Sequence, residues 1–458
     1  MEYVNVRDAA ARCLMEIRER QTYVSTAVDH WIERFPDTIS ARDKALFTHL
    51  VYTTLTHESA IVFRIDRVAK QPLRRMKPYI AATLEVAAAQ LFYDDRIPVR
   101  AAIHEAVELV KHSRYRQLFG FVNGVLRAVL RAEETLEWPS DPLERLSIIY
   151  GLPIVLIQEW IGAYGLEMAE DLCRRLDTES GLTVRCNTLK NTPDQVLAAL
   201  EEIPGQGQIL PSALCPWMFR LQSGSDLKHW RLITEGRLVV QNESAALAAM
   251  LTLAAPGMKI LDLCAAPGGK STMMAQMMHD QGQIISCDIY DHKVERVRAQ
   301  AERMGITCIE AVLQDGTSLR QDWIETFDAV LVDAPCSGWG IVRNKPDIRL
   351  NRSTEDHQAL ETLQRDLLRT AQQYVRPGGR LVYSTCTLRP AENEAQTAWF
   401  SESFPQFAPQ DPQKDLPTLD LCDTIKDGHH GIIVLPEPQG ADGFYLAAWT
   451  KNGREGLA

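Results

Sequence analysis

Five short apolar runs in the second half of the chain each end beside an acid or a cysteine, and this repetition constrains the fold more than any other feature. They are MKILDLC (258–264), QIISCDI (283–289), TCIEAVLQD (307–315), FDAVLVDAP (327–335) and GGRLVYSTC (378–386). Between them lie amphipathic stretches such as HKVERVRAQAERMG (292–305) and residues 354–375. Apolar runs of this length suit strands buried on both faces, and their alternation with helices predicts a parallel sheet with helices on each side. Sheets of that kind bind ligands at the carboxyl ends of their strands. Asp262, Cys264, Asp288, Asp315, Asp333 and Cys386 all stand at such ends. The sequence therefore predicts an α/β, Rossmann-like catalytic domain over residues 237–451 with its site on one rim.

The chain before it reads differently. Ser40 and Asp43 have capping-box spacing, and Leu46, Phe47, Leu50, Val51 and Leu55 follow at the helical period. Ile103, Val107 and Val110 form a second stripe, and Phe121, Val122, Val125, Leu126, Val129 and Leu130 a third. Residues 1–136 thus predict an all-α bundle of six or so helices. EWPSDP (137–142) breaks helical continuity and reads as a linker. Residues 143–236 read as a small α+β module, helical at first and then β-like at LTVRCNTL (182–189). Residues 205–230 carry no motif.

With 458 residues the chain is too long for one ordinary core. No apolar run is long enough to span a bilayer, and MEYVNVRDAAARC lacks the features of a signal peptide. Its ten cysteines are scattered without a CxxC pair, which argues against a zinc site or a disulfide framework and for a reducing cytoplasm. No metal is expected. The net charge of −11 counts against a nucleic-acid partner, but its distribution does not. Residues 70–131 hold eleven Lys and Arg against five acids, whereas residues 132–257 hold seventeen acids against nine bases.

DLCAAPGGKST (262–272) is a strand, a glycine turn and a helix start. A P-loop needs a glycine five positions before Gly269, where this chain has Cys264, and a dinucleotide site needs a GxGxxG spacing that is absent. S-adenosyl-L-methionine is the remaining common ligand of such a turn. It needs close backbone approach at Gly268 and Gly269, an acid for the ribose hydroxyls and an acceptor near the adenine amine. Asp288, nineteen residues after Gly269, suits the ribose, and Asp315 is placed for the adenine.

Cys13, Cys173, Cys186, Cys287 and Cys308 sit among apolar or helical neighbours and read as inert. Cys336, in DAPCSGWG (333–340), and Cys386, in STCT (384–387), lie instead in polar turns at the rim of the sheet. A thiolate there has a use. Carbon 5 of a pyrimidine becomes nucleophilic only after a thiolate adds to carbon 6, and it can then accept a methyl group. Asp333 is placed to hydrogen-bond the polar edge of the base. A base must afterwards remove the carbon 5 hydrogen. Spacing alone does not rank the two cysteines.

VQNES (240–244), DLCAAPGGKST, DAPCSGWGIVRNKPDIR, YSTCTLRPAENE and DGFYLA (442–447) together resemble the bacterial RNA cytosine-5 methyltransferases, most closely the RsmB (Sun/Fmu) group. FVNGVLRAVLR (121–131) and IPVRAAIHEAVELVK (97–111) are similar to the NusB-type RNA-binding fold fused in that group. The resemblance implies a NusB-like helical domain followed by a class I S-adenosyl-L-methionine-dependent methyltransferase domain. It also implies a target in 16S rRNA, cytosine-967 in the family. Carried over, Cys386 is the nucleophile and Cys336 assists release. Cys264, Ala265, Ala266, Pro267, Gly268, Gly269, Lys270, Asp288, Asp315 and Asp333 contact the cofactor, with Asp333 also near the base.

The chain departs from the family at Asn242, where Asp is usual. Arg343, Lys345, Arg349 and Arg352 follow the Cys336 motif and are expected to contact RNA phosphates. The cytosine must be splayed from its stack to reach the thiolate. A related enzyme acting on transfer RNA would share every catalytic residue. A non-catalytic RNA-binding scaffold would instead show a lost cysteine or a broken glycine loop.

Overall fold

Side-chain caps set the helix starts in the N-terminal third. Asn5 Oδ1 accepts from the backbone N–H groups of Arg7 and Asp8, and Ser40 Oγ accepts from that of Asp43 at 3.1 Å. Seven α-helices follow among the described residues of this region: Val6–Arg20, Val24–Glu33, Ala41–Thr56, Glu58–Val68, Pro78–Tyr93, Val99–Lys111 and Phe119–Ala132. The computed structural model describes residues 5–36, 38–178, 181–203, 207–221, 230–349, 354–426, 431–438 and 440–453. The apolar stripes face inward as their period requires. Phe47, Leu50, Val51 and Leu55 join Leu14 and Ile17 in one core, while Ile103, Val110, Val122, Leu126 and Val129 join Ile61 and Leu84 in another. Arg18 forks onto buried Glu85 at 2.7 and 3.0 Å and also reaches Glu58 at 2.8 Å.

Two compact units emerge, one comprising Met1–Arg174 with Asn344–Asn351 and the other Arg175–Arg343 with Arg352–Ala458. This differs from the expected boundary at 137–142. Trp138 stacks on Phe63 with ring centroids 5.0 Å apart, and the Arg64 guanidinium lies 4.9 Å from the Trp138 ring. Asp141 caps the next helix, Pro142–Tyr150, which packs on helix Glu58–Val68. The prolines turn the chain here without separating domains. Helices Ile154–Tyr164 and Leu166–Leu176 continue the same unit almost to its end. The expected α+β module over 143–236 is therefore divided: its first two helices and most of the third belong to the helical unit, while its strands and the later helices Pro193–Glu201 and Arg231–Thr234 belong to the second.

Those strands are β1 (Leu182–Cys186), β2 (Ile209–Pro211), β3 (Met218–Leu221) and β4 (Leu238–Val240), an antiparallel sheet in the order β2-β3-β1-β4. Two of them fall in the stretch 205–230 that carried no motif; residues 222–229 lie outside the described residues.

The larger sheet contains the five expected strands as β5 (Lys259–Asp262), β6 (Gln283–Asp288), β7 (Ile309–Leu313), β8 (Phe327–Asp333) and β9 (Val375–Thr385). It continues with β10 (Phe407–Gln410), β11 (Thr424–Lys426), β12 (Ile432–Val434) and β13 (Phe444–Lys451) in the order β11-β12-β13-β9-β8-β5-β6-β7, β10 pairing with β13. Strands β5 to β9 pair in parallel, and β13 runs antiparallel against β9. The chain runs outward from β5 through β6 to β7, then returns to place β8 on the other side of β5. That reversal is a topological switch point, where the loops after β5 and β8 diverge and leave a crevice.

Phe47, fully buried in the helical unit, is a test of its core. Phe47→Ala is expected to lower unfolding stability by about 3–5 kcal/mol, read from denaturant midpoints.

Candidate active site

The loop after β5 is hooked to both neighbouring strands by its backbone. The Leu263 N–H donates to Leu331 O at 3.0 Å and the Ala265 N–H to Cys287 O at 2.8 Å. Gly268 has φ +101°, a left-handed conformation, and a Cβ there would lie 3.3 Å from the Val297 backbone. Glycine is required for the turn and for the close approach. Helix Gly269–Met277 then starts with its N-terminal turn at the rim.

Beneath the loop, Asp262 is fully buried. Its Oδ2 accepts from Ser271 Oγ at 2.6 Å, while Oδ1 has no partner among the described residues. Burial pushes its pKa up to about 7; Ser271 opposes the rise and the Asp333 charge adds to it. At the ends of β6 and beyond β7 stand the two acids expected to hold the nucleoside. Asp288 Oδ1 accepts from the Tyr290 N–H at 3.2 Å and lies 3.7 Å from Lys293 Nζ. Asp315 Oδ1 accepts from the Thr317 N–H and hydroxyl at 2.9 and 2.7 Å, bonds that hold its pKa below the usual range. Two glycines without side chains, a helix start and two carboxylates along one rim fit an adenosine-bearing ligand. Burial and the nearby carboxylates keep Cys264 a neutral thiol.

The other half of the rim is built by β8 and β9. Their parallel register sets Asp333 opposite Ser384. Ser384 Oγ donates to Asp333 Oδ1 at 2.8 Å, and Lys270 Nζ donates to Oδ2 at 2.5 Å. Burial works against the Lys270 charge, yet Asp333 outweighs it and raises the pKa, with a smaller contribution from Cys386. Lys270, expected at the cofactor, thus spends its ammonium on the carboxylate beside the cysteines.

Cys336 Sγ and Cys386 Sγ lie 3.3 Å apart, although fifty residues separate them in sequence. Polar bonds pin their loops together. Ser337 and Thr387 hydroxyls are 2.6 Å apart, and Glu392 accepts from the Ser337 N–H and from Gln364 Nε2, both at 2.9 Å. Asn393 accepts from Thr385 Oγ1 at 2.6 Å and donates to Thr387 O at 3.0 Å. The Gly340 N–H donates to Cys386 O at 3.0 Å, and a Cβ on Gly340 would lie 2.0 Å from Gly443 O. The Cys336 thiol is pushed well above its ordinary pKa, first by its bond to the Cys386 sulfur, then by burial and by the charges of Glu392 and Asp333.

Residues 249–450 match the family described as 16S rRNA methyltransferase RsmB/F, and residues 4–131 match the NusB family. A probable ribosomal RNA small subunit methyltransferase B from Bacillus subtilis is 33% identical over 99% of this chain and 100% of its own. Its namesake from Synechocystis is 30% identical over 98% and 100%. The chain belongs to the RsmB/F family. It is an S-adenosyl-L-methionine-dependent rRNA methyltransferase with a NusB domain. The crystal structure of PH0851 shares the fold, with a TM-score of 0.77 at 24% identity over 98% of this chain and 99% of that one. A methyltransferase homolog from Pyrococcus horikoshii gives 0.58 at 24% identity over 68% and 98%.

Among the residues expected to touch RNA, Arg343 does something else. Its side chain is 2% exposed; Nε donates to Asp442 at 2.8 Å, and its terminal nitrogens donate to Thr178 Oγ1 and to the carbonyls of Glu437, Gly440 and Ala441. Every N–H is committed to the protein, so it is a structural clasp and not a phosphate contact. Lys345 is exposed and Arg349 half-buried, and both belong with the helical unit, where Arg349 lies against Gly151. Arg352 lies outside the described residues. Asn242 caps helix Glu243–Met250, its Oδ1 accepting from Ser244 N at 2.9 Å and Asp442 N at 3.2 Å. Both bonds need only an acceptor oxygen, which Asn supplies as well as Asp.

Ser384, Glu392 and the second role of Lys270 were not read from the sequence. The cysteine motifs contain or adjoin the first two, but nothing in spacing says which side chains turn inward. The segment Pro390–Glu392 forms a 3₁₀ turn, and the following helix starts at Glu394.

Asp262 yields a pH prediction. An unfolded Asp titrates near 3.9, so as pH rises from about 4 to about 7 the unfolded chain loses a proton that the folded state keeps. Its contribution to stability is full below pH 4 and is lost as pH rises through 7. Asp262→Asn is expected to flatten this window and to stabilise the cofactor-free protein above pH 7 by on the order of 1–4 kcal/mol, read from urea midpoints at pH 5 and 7.5.

Proposed function

We propose that this RsmB/F-family enzyme methylates C5 of a cytosine in 16S rRNA, the family's cytosine-967, through a covalent adduct between Cys386 and C6. The observation that carries this reading is the pair of sulfurs 3.3 Å apart beside Asp333. Residues 264–270 with Asp288, Asp315 and Asp333 would hold S-adenosyl-L-methionine, which would supply an electrophilic methyl group on a sulfonium whose sulfur would keep the bonding electron pair.

The Cys386 thiolate forms the S–C6 bond, and the C5=C6 π pair moves onto C5. Asp333, fixed by Lys270 and Ser384, accepts from the exocyclic amine of the base and so fixes its orientation. C5, carrying that pair, is then the nucleophile for the methyl group. Cys336, its own proton first given up to solvent, takes the C5 proton as a thiolate; the C–H pair restores C5=C6, and the Cys386 thiolate leaves. The cause of the raised Cys336 pKa supports this order. Before attack, the bond to Cys386 keeps Cys336 a thiol, able to donate to the neighbouring sulfur. Once Cys386 is a thioether that bond and charge are gone, so Cys336 gives up its proton more readily and its thiolate becomes available as the base.

The RNA is proposed to be free or partly assembled small-subunit RNA in the cytoplasm. In the helical unit, a groove of about 860 Å³ between helices Val99–Lys111 and Phe119–Ala132 is lined by Arg100, His104, Lys111, Arg127 and Arg131, with Glu108 among them. Such a charge balance supports phosphate binding.

Purified protein is expected to transfer label from S-adenosyl-L-methionine to unmodified 16S rRNA, with bisulfite sequencing locating the 5-methylcytosine. Cys386→Ala should abolish transfer. Cys336→Ala should accumulate a protein–RNA adduct that survives denaturing gels. Full activity of the Cys386 variant would sink the mechanism, and labelling of transfer RNA in place of 16S rRNA would sink the choice of substrate.

A further inference from the structure

Arg185 is fully buried on β1, in the small antiparallel sheet, and takes no part in the chemistry above. Strand alternation sends Val184 and Cys186 into the core of the small sheet and Arg185 to the opposite side. There its Nε donates to Gln241 Oε1 at 2.6 Å, one terminal nitrogen donates to Gln276 Oε1, and the other donates to Thr272 Oγ1 at 2.9 Å and Gly269 O at 3.3 Å. Gly269, Thr272 and Gln276 lie at positions i, i+3 and i+7 of helix Gly269–Met277, a single face of it. The contact continues into the loop, because the Thr272 hydroxyl in turn donates to Gly268 O at 2.8 Å.

We infer that Arg185 is a positioning residue for the cofactor: it sets where the first turn of that helix stands and, through Thr272, where Gly268 and Gly269 present their backbone. Two features separate this from ordinary packing. The guanidinium bonds to neutral oxygens, so among the described residues the charge is buried without an ion-pair partner, an arrangement that apolar residues of similar volume would often improve upon for stability alone. Second, both glutamine amides turn their oxygens to Arg185 and leave Gln241 Nε2 and Gln276 Nε2 buried without a protein partner among the described residues. Each such orphan forfeits its hydrogen bond to water, so the cluster accepts a loss of stability to hold one geometry. Burial lowers the Arg185 pKa to about 10, which leaves it charged at neutral pH. A lysine ammonium cannot replace the planar fork that reaches four acceptors in two directions.

The inference rests on the cofactor and is independent of which cysteine attacks. Calorimetry on the full chain gives the dissociation constants of S-adenosyl-L-methionine and its demethylated product, beside thermal melting and steady-state kinetics. Arg185→Lys is expected to weaken both ligands by about tenfold or more, with KM for RNA and kcat at saturating cofactor within about twofold. Thr272→Val, a milder change that also serves if the arginine variant does not fold, should weaken them by about threefold. Val184→Ala, a cavity on the other face of the same strand, should lower the melting temperature and leave cofactor affinity unchanged. Unchanged affinity in the Arg185 and Thr272 variants overturns the inference, as does a loss of affinity in Val184→Ala proportionate to its loss of stability. A wild-type protein that binds neither ligand would overturn the cofactor reading itself, and this inference with it.

Discussion

The site depends on one register: β8 and β9 run parallel with Asp333 opposite Ser384. Parallel strands end on the same rim, so the loops that leave these two must meet. With the register fixed, the Ser384 hydroxyl lies against the Asp333 carboxylate, and the two sulfurs two or three positions further on stand in contact. A shift of one residue would turn each of these side chains to the opposite face of the sheet. Lys270 closes the arrangement from the glycine loop after β5, so the charge of Asp333 is balanced by a side chain from the other half of the rim. Partly buried pairs of this kind are held in one geometry because each alternative leaves a charge without a partner.

The loops themselves are made rigid by polar side-chain bonds and close backbone contact. Glu392 and Asn393 reach back to Ser337, Thr385 and Thr387, and Gly340 lets the backbone of one cysteine loop cross that of Gly443. Reacting groups held this way need little reorganisation when substrate arrives, which is how a fixed site lowers a barrier. The scaffold is sheet and short turns throughout, more exact than a site carried on a long loop.

Much of this was legible because it depends on local chemistry. Apolar runs of buried-strand length marked β5 to β9, and helical stripes at Phe47, Leu50, Val51 or at Val122, Leu126, Val129 marked their helices, since period and burial are coupled by geometry. The rim positions of Asp262, Asp288, Asp333 and Cys386 followed from strand ends alone. The misreadings share a cause. EWPSDP looked like a linker because prolines break helices, but Trp138 is apolar and found Phe63 and Arg64 to pack on. Arg343 looked like a phosphate contact because arginines near a nucleotide pocket often are, but five acceptors on distant segments claimed its N–H groups.

The amino-acid sequence by itself determined the fold class, the rim on which the chemistry stands and the kind of chemistry two cysteines near an acid can perform. These follow from periodicity, strand length and functional-group reactivity, each a property of a few adjacent residues. Only the tertiary structure decided that Cys336 and Cys386 touch, that Lys270 serves Asp333, that Arg343 is a clasp and that Arg185 lies against the helix start that follows the glycine loop. Each of those contacts joins residues fifty or more positions apart, and its existence depends on sheet order and register, which no local pattern encodes.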